Sequence, residues 1–139
     1  MMRKERDEME NQESRQPLDG AARTAVRLAR MERLEKGWYN GEGQPIPKRS
    51  IETATKMLND MPDLAKVVNI YPNVEGHIEM EFKVGDWDYS IEFYKDGCIG
   101  LWGVDLASDD EMREEIYGGL TDALYFDVWK ILYRFTPNC

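Results

Sequence analysis

The chain has 139 residues, enough for one domain with a modest core and too few for two full ones. Hydrophobic residues make up 42% and charged residues 32%, a globular composition, and no apolar run approaches the roughly 20 residues that a membrane span requires. The net charge of -9 is uneven: residues 1–48 hold ten Lys and Arg against nine Asp and Glu, which leaves eight against eighteen for residues 49–139, so the part expected to fold repels nucleic acid and attracts basic partners.

Residues 1–17 alternate charges of both signs with almost nothing to bury, and read as a flexible charged arm ahead of a single domain, 18–139. They lack the apolar stretch of a signal peptide, so a cytoplasmic location is the expectation. From Asp19, a candidate N-cap, to Lys36 the sequence is rich in strong helix formers. Arg23, Arg27, Arg30 and Arg33 recur there at spacings of four, three and three. They form a basic ridge that either faces solvent or lies on an acidic surface of this protein or of a second copy. Gly37 stands where a C-cap glycine belongs.

The stretch GWYNGEGQPI, residues 37–46, raises the question of phosphate binding. A phosphate loop follows a strand and opens directly onto a helix with its N–H groups free. Here a helix precedes, and Pro45 and Pro47 remove two donors. The segment reads instead as a structural turn in which Trp38 and Tyr39 pack inward, while Gly41 and Gly43 supply unusual dihedrals.

Ser50 is placed to cap a short amphipathic helix with Ile51, Ala54, Leu58 and Met61 on one face, ended by Pro62. VVNIY, residues 67–71, reads as a first strand. After the turn PNVEG, the segment HIEMEFKV alternates strictly, with Ile78, Met80, Phe82 and Val84 on one side. A two-residue loop at Gly85-Asp86 sets Val84 opposite Trp87, Phe82 by Tyr89, Met80 by Ile91 and Ile78 by Phe93. A second such loop at Asp96-Gly97 sets Phe93 by Gly100, Ile91 by Trp102 and Tyr89 by Val104. The fold class is therefore α+β: an antiparallel meander of three to four strands packed against helices, with an N-terminal helix.

The same registers define the other face. Glu79 falls directly opposite Glu92, with Glu81 and Asp88 close by and Tyr94, Ile99 and Leu101 on neighbouring strands. Like charges so opposed destabilise a sheet, and carboxylates beside apolar side chains suit a basic protein surface, including one that normally binds nucleic acid. Further on, Ser108 and Glu111 make a capping-box pair that opens a helix at SDDEM, broken or bent by Gly118 and Gly119. A last helix from about Thr121 carries Leu124, Val128, Ile131 and Phe135, flanked by Tyr125, Trp129 and Leu132, and its outer edge offers a homodimer contact.

No catalytic constellation is visible. His77 is the only histidine, on the solvent side of a strand beside glutamates, where it reads as an ordinary surface imidazole. Cys98 and Cys139 show no metal or redox spacing and read as free thiols. No nucleophile elbow, zinc, P-loop or cofactor motif occurs, so neither metal nor cofactor is expected.

The segments GWYNGEGQPI, SIETATKML, YPNVEGHIEMEF and DYSIEFYKDG together resemble a broad group of small uncharacterised bacterial and phage proteins. These share a Trp-x-Gly-x-Gly-x-x-Pro-like segment, a helix, a Pro-x-x-x-Gly turn into an alternating strand, and a strand ending in Asp-Gly. The resemblance implies a mobile-element context in a bacterial host. Small acidic phage proteins include inhibitors of host nucleases, such as anti-CRISPR proteins. The expected function is accordingly a non-enzymatic inhibitor or antitoxin-like protein that occupies a basic surface through Glu79, Glu81, Asp88 and Glu92 with Tyr94 and Leu101. The alternative is a small-ligand or enzymatic domain with a pocket between the sheet and the Trp38 loop.

Overall fold

A computed structural model of the chain describes residues 20–133. The expected arm, the Asp19 cap, Phe135 and Cys139 lie outside these residues. Within them, helices α1 (Gly20–Met31), α2 (Lys48–Asp60) and α3 (Pro62–Val67) precede strands β1 (Asn69–Pro72), β2 (Ile78–Val84), β3 (Trp87–Phe93), β4 (Ile99–Asp105) and β5 (Glu111–Tyr117). Helix α4 (Asp122–Leu132) follows. The fold is α+β, with one antiparallel sheet in the order β1-β2-β3-β4-β5, one strand more than the upper expectation.

The alternation of β2 and β3 buries Ile78, Met80 and Phe82 against Tyr89, Ile91 and Phe93. Leu28 and Met31 of α1, Ala54, Met57 and Leu58 of α2, Leu64 of α3 and Leu124 and Val128 of α4 join them in a single cluster. Full burial of each large apolar side chain contributes about 1.5–3 kcal/mol, so the helices are held to one side of the sheet. Among the described residues, no helix covers the other side.

The helices differ in detail from expectation. Helix α1 ends at Met31, because the chain turns at Arg33 and Leu34 through bonds to Arg30 O and Met31 O. Gly37 is therefore not its C-cap. Helix α2 starts at Lys48 behind Pro47, and Ser50 is a buried first-turn residue with no capping role. Pro62 both stops α2 and opens α3, where its missing N–H costs nothing. The basic ridge is only partly a surface feature. Arg27 is buried, donates to Ile70 O (3.3 Å) and lies 5.4 Å from the Tyr71 ring centroid, so it ties α1 to β1.

The first hairpin follows the expected register throughout, from Val84↔Trp87 to Ile78↔Phe93, with Gly85 at φ 60° as a type II′ turn requires. The second does not. Asp96 has no positive φ, as a two-residue Asp-Gly turn would need, and Tyr94 N–H instead bonds Cys98 O (3.0 Å) across a three-residue loop. Gly97 alone takes the left-handed conformation, φ 99°, and the Asp96 carboxylate accepts from Cys98 N–H (2.9 Å). The pairs become Phe93↔Ile99, Ile91↔Leu101 and Tyr89↔Gly103. A slip of one residue moves every side chain to the opposite face. Ile99 and Leu101 are therefore core residues with essentially no exposure.

The segment expected to be a helix after Ser108 is strand β5. Asp105 organises the turn before it: its carboxylate accepts from Ala107 N–H (2.9 Å) and Ser108 hydroxyl (2.9 Å), and its N–H bonds Asp110 O (2.7 Å). Ser108 thus serves a hairpin, with Asp109 at φ 63°, and the helix propensity of EMREEIY yields to pairing with β4. A register irregularity opposite Leu101 and Gly103 hides the strand's alternation. Thr121 caps α4 as expected by accepting from Leu124 N–H (3.2 Å). Tyr125 donates to Asp60 (2.6 Å), Tyr133 to Asp63, and Tyr117 of β5 to Asp127 (2.6 Å), which fixes α4 between α2, α3 and the sheet.

Candidate functional site

The glycine-rich turn is closed upon itself. Gly37 N–H bonds Gly43 O (2.8 Å), Gly41 N–H bonds Gly37 O (3.1 Å), and Tyr39 N–H bonds Glu42 O (2.7 Å). Gly37, Gly41 and Gly43 all take positive φ, at 85°, 90° and 99°. Trp38 does not enter the core: it is half-buried, donates from Nε1 to Gln44 O (2.7 Å), and lies so close to Gly43 that a Cβ there would meet the indole at 2.7 Å. The N–H groups of Gly37, Tyr39 and Gly41 are spent inside the loop, which leaves a phosphate few donors.

The uncovered sheet face is chemically the more unusual region. Glu79 on β2 and Glu92 on β3 are direct cross-strand partners. Tyr94, two residues beyond Glu92, reaches across Gly100 and donates to Glu114 on β5 (2.5 Å). A Cβ at Gly100 would collide with the Glu114 carboxylate and approach Tyr94 to 3.1 Å, so the missing side chain is what lets this bond cross β4. Asn73 donates to Glu79 (3.1 Å). His77 stands edge-on to Tyr94 at 5.0 Å and 3.8 Å from the Glu92 carboxylate. With side-chain exposures of 13% and 12%, His77 and Glu92 are sheltered groups, contrary to the expectation of an ordinary surface imidazole.

Among the described residues, no Lys or Arg nitrogen lies within 4.0 Å of the Glu79, Glu92 or Glu114 carboxylates. Glu92 responds accordingly. Loss of solvent, followed by the charge of Glu79, pushes its carboxyl up to about 7, only partly offset by the Tyr94 hydroxyl; Glu79 as hydrogen-bond partner and the charge of Glu114 add to the rise. The Tyr94 hydroxyl is held protonated by burial, by its bond to Glu114 and by the surrounding carboxylates. Near neutral pH Glu92 is therefore poised between its protonated and ionised forms, and added positive charge would favour the ionised one.

Of the residues expected on a partner face, Glu79, Glu92 and Tyr94 come together. Glu81 lies on the same face, opposite Asn69 and Ser90. Asp88 stands about 13 Å further along β3, at the usual ~3.3 Å rise per residue, and pairs across the strands with Lys83. Leu101 is not part of the face: the three-residue hairpin loop turns it into the core. Glu114, Asn73 and Gly100 were not foreseen. Glu114 lay within a segment whose composition favours helix, and only pairing with β4 reveals it.

Among the described residues no group of three or more His, Cys, Asp or Glu is placed to hold a metal ion, and no helix is long and apolar enough to cross a membrane. Comparison of the chain with protein-family models, with curated proteins and with solved structures returned no match.

Proposed function

We propose that this chain is a non-enzymatic binding protein whose uncovered sheet face docks on a basic surface of another protein and so blocks that surface. Glu79, Glu92 and Glu114 form the centre of the face, with Tyr94 as its aromatic component and Glu81 and Asp88 extending it. The observation that carries this reading is the direct opposition of Glu79 and Glu92 with no Lys or Arg nitrogen of the described residues within 4.0 Å of either carboxylate. An arginine or lysine from a partner would relieve that repulsion, favour the ionised form of Glu92 and gain a charge-assisted hydrogen bond in a sheltered site. Surfaces rich in such residues belong above all to proteins that bind nucleic acid, which makes an inhibitor of such a protein the activity best matched to the face. The alternative of a ligand pocket beside the Trp38 loop has less support. Among the described residues, three clefts of about 390, 510 and 480 Å³ are lined by residues of the helices, of the turn after α1 and of β5, and not by Trp38.

The test is a titration of isotope-labelled protein with an arginine-rich peptide, followed by NMR over a salt series. Shifts should concentrate on Glu79, Glu92, Tyr94 and Glu114 and fade as salt rises. Replacing the three glutamates by glutamine should weaken binding by about tenfold or more, on the scale of one well-placed charge contact. Shifts spread over the whole acidic surface, or binding indifferent to the substitutions, would reject this face as the site.

A further inference from the structure

We propose that docking on the acidic sheet face is switched by pH: on mild acidification Glu92 and His77 take up protons and neutralise the face from within, and the face accepts a cationic partner only once those protons are lost. The inference rests on the docking role proposed above and concerns its regulation. Glu92 is sheltered, with 12% of its side chain exposed, and stands directly opposite Glu79 across the β2–β3 ladder. Tyr94 of the same strand donates to Glu114 of β5 (2.5 Å) across Gly100 of β4, which brings a third carboxylate to the group. Burial and like charge both favour the protonated form of a carboxyl. Such a cluster lowers its own charge in one of two ways: it holds a proton, or it holds a cation.

His77 supplies the internal cation. It is the only histidine of the chain and is 13% exposed, with Nδ1 3.8 Å from the Glu92 carboxylate and its ring edge-on to Tyr94 at 5.0 Å. Imidazole is the side chain that gains its charge on mild acidification. The other elements around Glu92 bring charge of the opposite sign or none close by. On β4, Gly100 lies opposite Glu92, and on β2, Glu81 follows Glu79 two residues along. On β1, Tyr71 lies opposite Glu79, with Arg27 of α1 over its ring. The turn before β2 carries Glu75, and the β3–β4 loop carries Lys95 and Asp96. Among the described residues, no Lys or Arg nitrogen comes within 4.0 Å of the Glu79, Glu92 or Glu114 carboxylates. Of these groups His77 is the one placed to become positive beside Glu92.

The two protons act in the same sense. Whichever of Glu92 and His77 takes one up, the pair has lost one negative charge and an incoming arginine meets less attraction. The Glu92 carboxyl is pushed up to about 7, first by loss of solvent and then by the charge of Glu79. Below that value a proton has to leave before the arginine faces two carboxylates; above it both are already ionised. For one such group, the population open to the partner falls about tenfold from pH 8 to pH 6. Ordinary carboxylates titrate near 4, so attraction to a diffuse acidic surface would not change across that window. A change of affinity between pH 6 and pH 8 therefore reports on this cluster.

The test is calorimetric titration of the full chain with an acetylated, amidated peptide of arginine and serine, whose charge is constant in this range. It is run from pH 6 to pH 8 at fixed ionic strength, with NMR shifts locating the bound peptide. Affinity should rise by about fivefold to tenfold from pH 6 to pH 8 and level off above. Near pH 7, titrations in two buffers of different ionisation enthalpy should show about half a proton or more released per peptide bound. This count uses the unmodified chain and so does not depend on any variant folding. Glu92→Gln, checked by thermal melts, should bind at pH 8 about as weakly as the parent does near pH 6, and adding His77→Gln should abolish the remaining pH dependence. A peptide that sits at Glu79, Glu92 and Glu114 with one affinity from pH 6 to pH 8, or without releasing protons, overturns the switch and leaves the docking face standing. So does a pH dependence that survives in the double variant. A peptide that shifts none of these residues at any pH overturns the docking role, and the switch with it.

Discussion

The two faces of the sheet are made by the same strands under opposite rules. On the core face, Ile78, Met80, Phe82, Tyr89, Ile91, Phe93, Ile99 and Leu101 are all but fully buried and meet in apolar pairs. On the uncovered face, between those same residues, stand Glu79, Glu92 and Glu114, two of them directly opposed. A sheet shaped only by stability would put threonine or an opposite charge at one of those positions. Each rule is obeyed on one face and broken on the other, and sites where a protein departs from local consistency are where function is to be sought.

The sharpest way to separate the faces is Leu101→Ala, which should cost about 2–5 kcal/mol, as truncations of buried leucine do. Chemical denaturation of the variant also tests the register. Had a two-residue loop joined β3 to β4, Leu101 would lie on the uncovered face and the same change would stay within about 0.5 kcal/mol.

Gly103 and Gly100 make a finer comparison, since they lie on one strand and face opposite sides. A Cβ at Gly103 would meet the Tyr89 ring at 2.6 and 2.8 Å, and that ring is fully buried. Gly103→Ala should therefore lose about 3 kcal/mol through overpacking. At Gly100 the obstacle is the tip of Glu114, an exposed side chain that can swing away. Gly100→Ala should cost only about 1 kcal/mol, chiefly the bond from Tyr94 to Glu114. Equal losses in paired thermal melts would show that the uncovered face is packed as tightly as the core.

How much of this was legible depended on whether the chemistry was local. The β2–β3 hairpin could be read because Gly85 needs only its own left-handed conformation and because four apolar pairs agree with it. That legibility extended to the opposition of Glu79 and Glu92. The β3–β4 hairpin misled because Asp-Gly serves both a two-residue turn and the end of a three-residue one, and the choice lies in the φ of Asp96. Leu101 went to the wrong face on that ambiguity alone. Strand β5 was hidden more deeply, since Glu, Met and Arg favour helix and only the partner strand overrides them. With it went Glu114, the third carboxylate of the site. Trp38 read as a core anchor because its size suggested burial, whereas the positive φ of three glycines folds its loop back beneath the indole.

The smallest expected effect is also the one that bears most directly on the acidic face. The Glu92 carboxyl is raised from its ordinary 4.5 to about 7 by loss of solvent and then by Glu79. Between those values the folded chain binds more protons than the unfolded one, so the contribution of Glu92 to stability falls as pH rises through that window. Below about 4.5 both states are protonated and the penalty vanishes; above about 7 it is fully present. Glu92→Gln keeps the shape of the protonated side chain and removes its titration. Thermal melts should therefore show the variant equal to the parent near the bottom of the window and more stable above it. The gain should be about 1 kcal/mol, with the larger value implied by the full shift reduced by screening at a partly solvated site. A gain that is the same at every pH would mean that Glu92 is ionised throughout and that its carboxyl is not raised. A variant less stable at high pH would mean that a cation already neutralises the pair, and the demand for a partner's arginine or lysine would disappear with it.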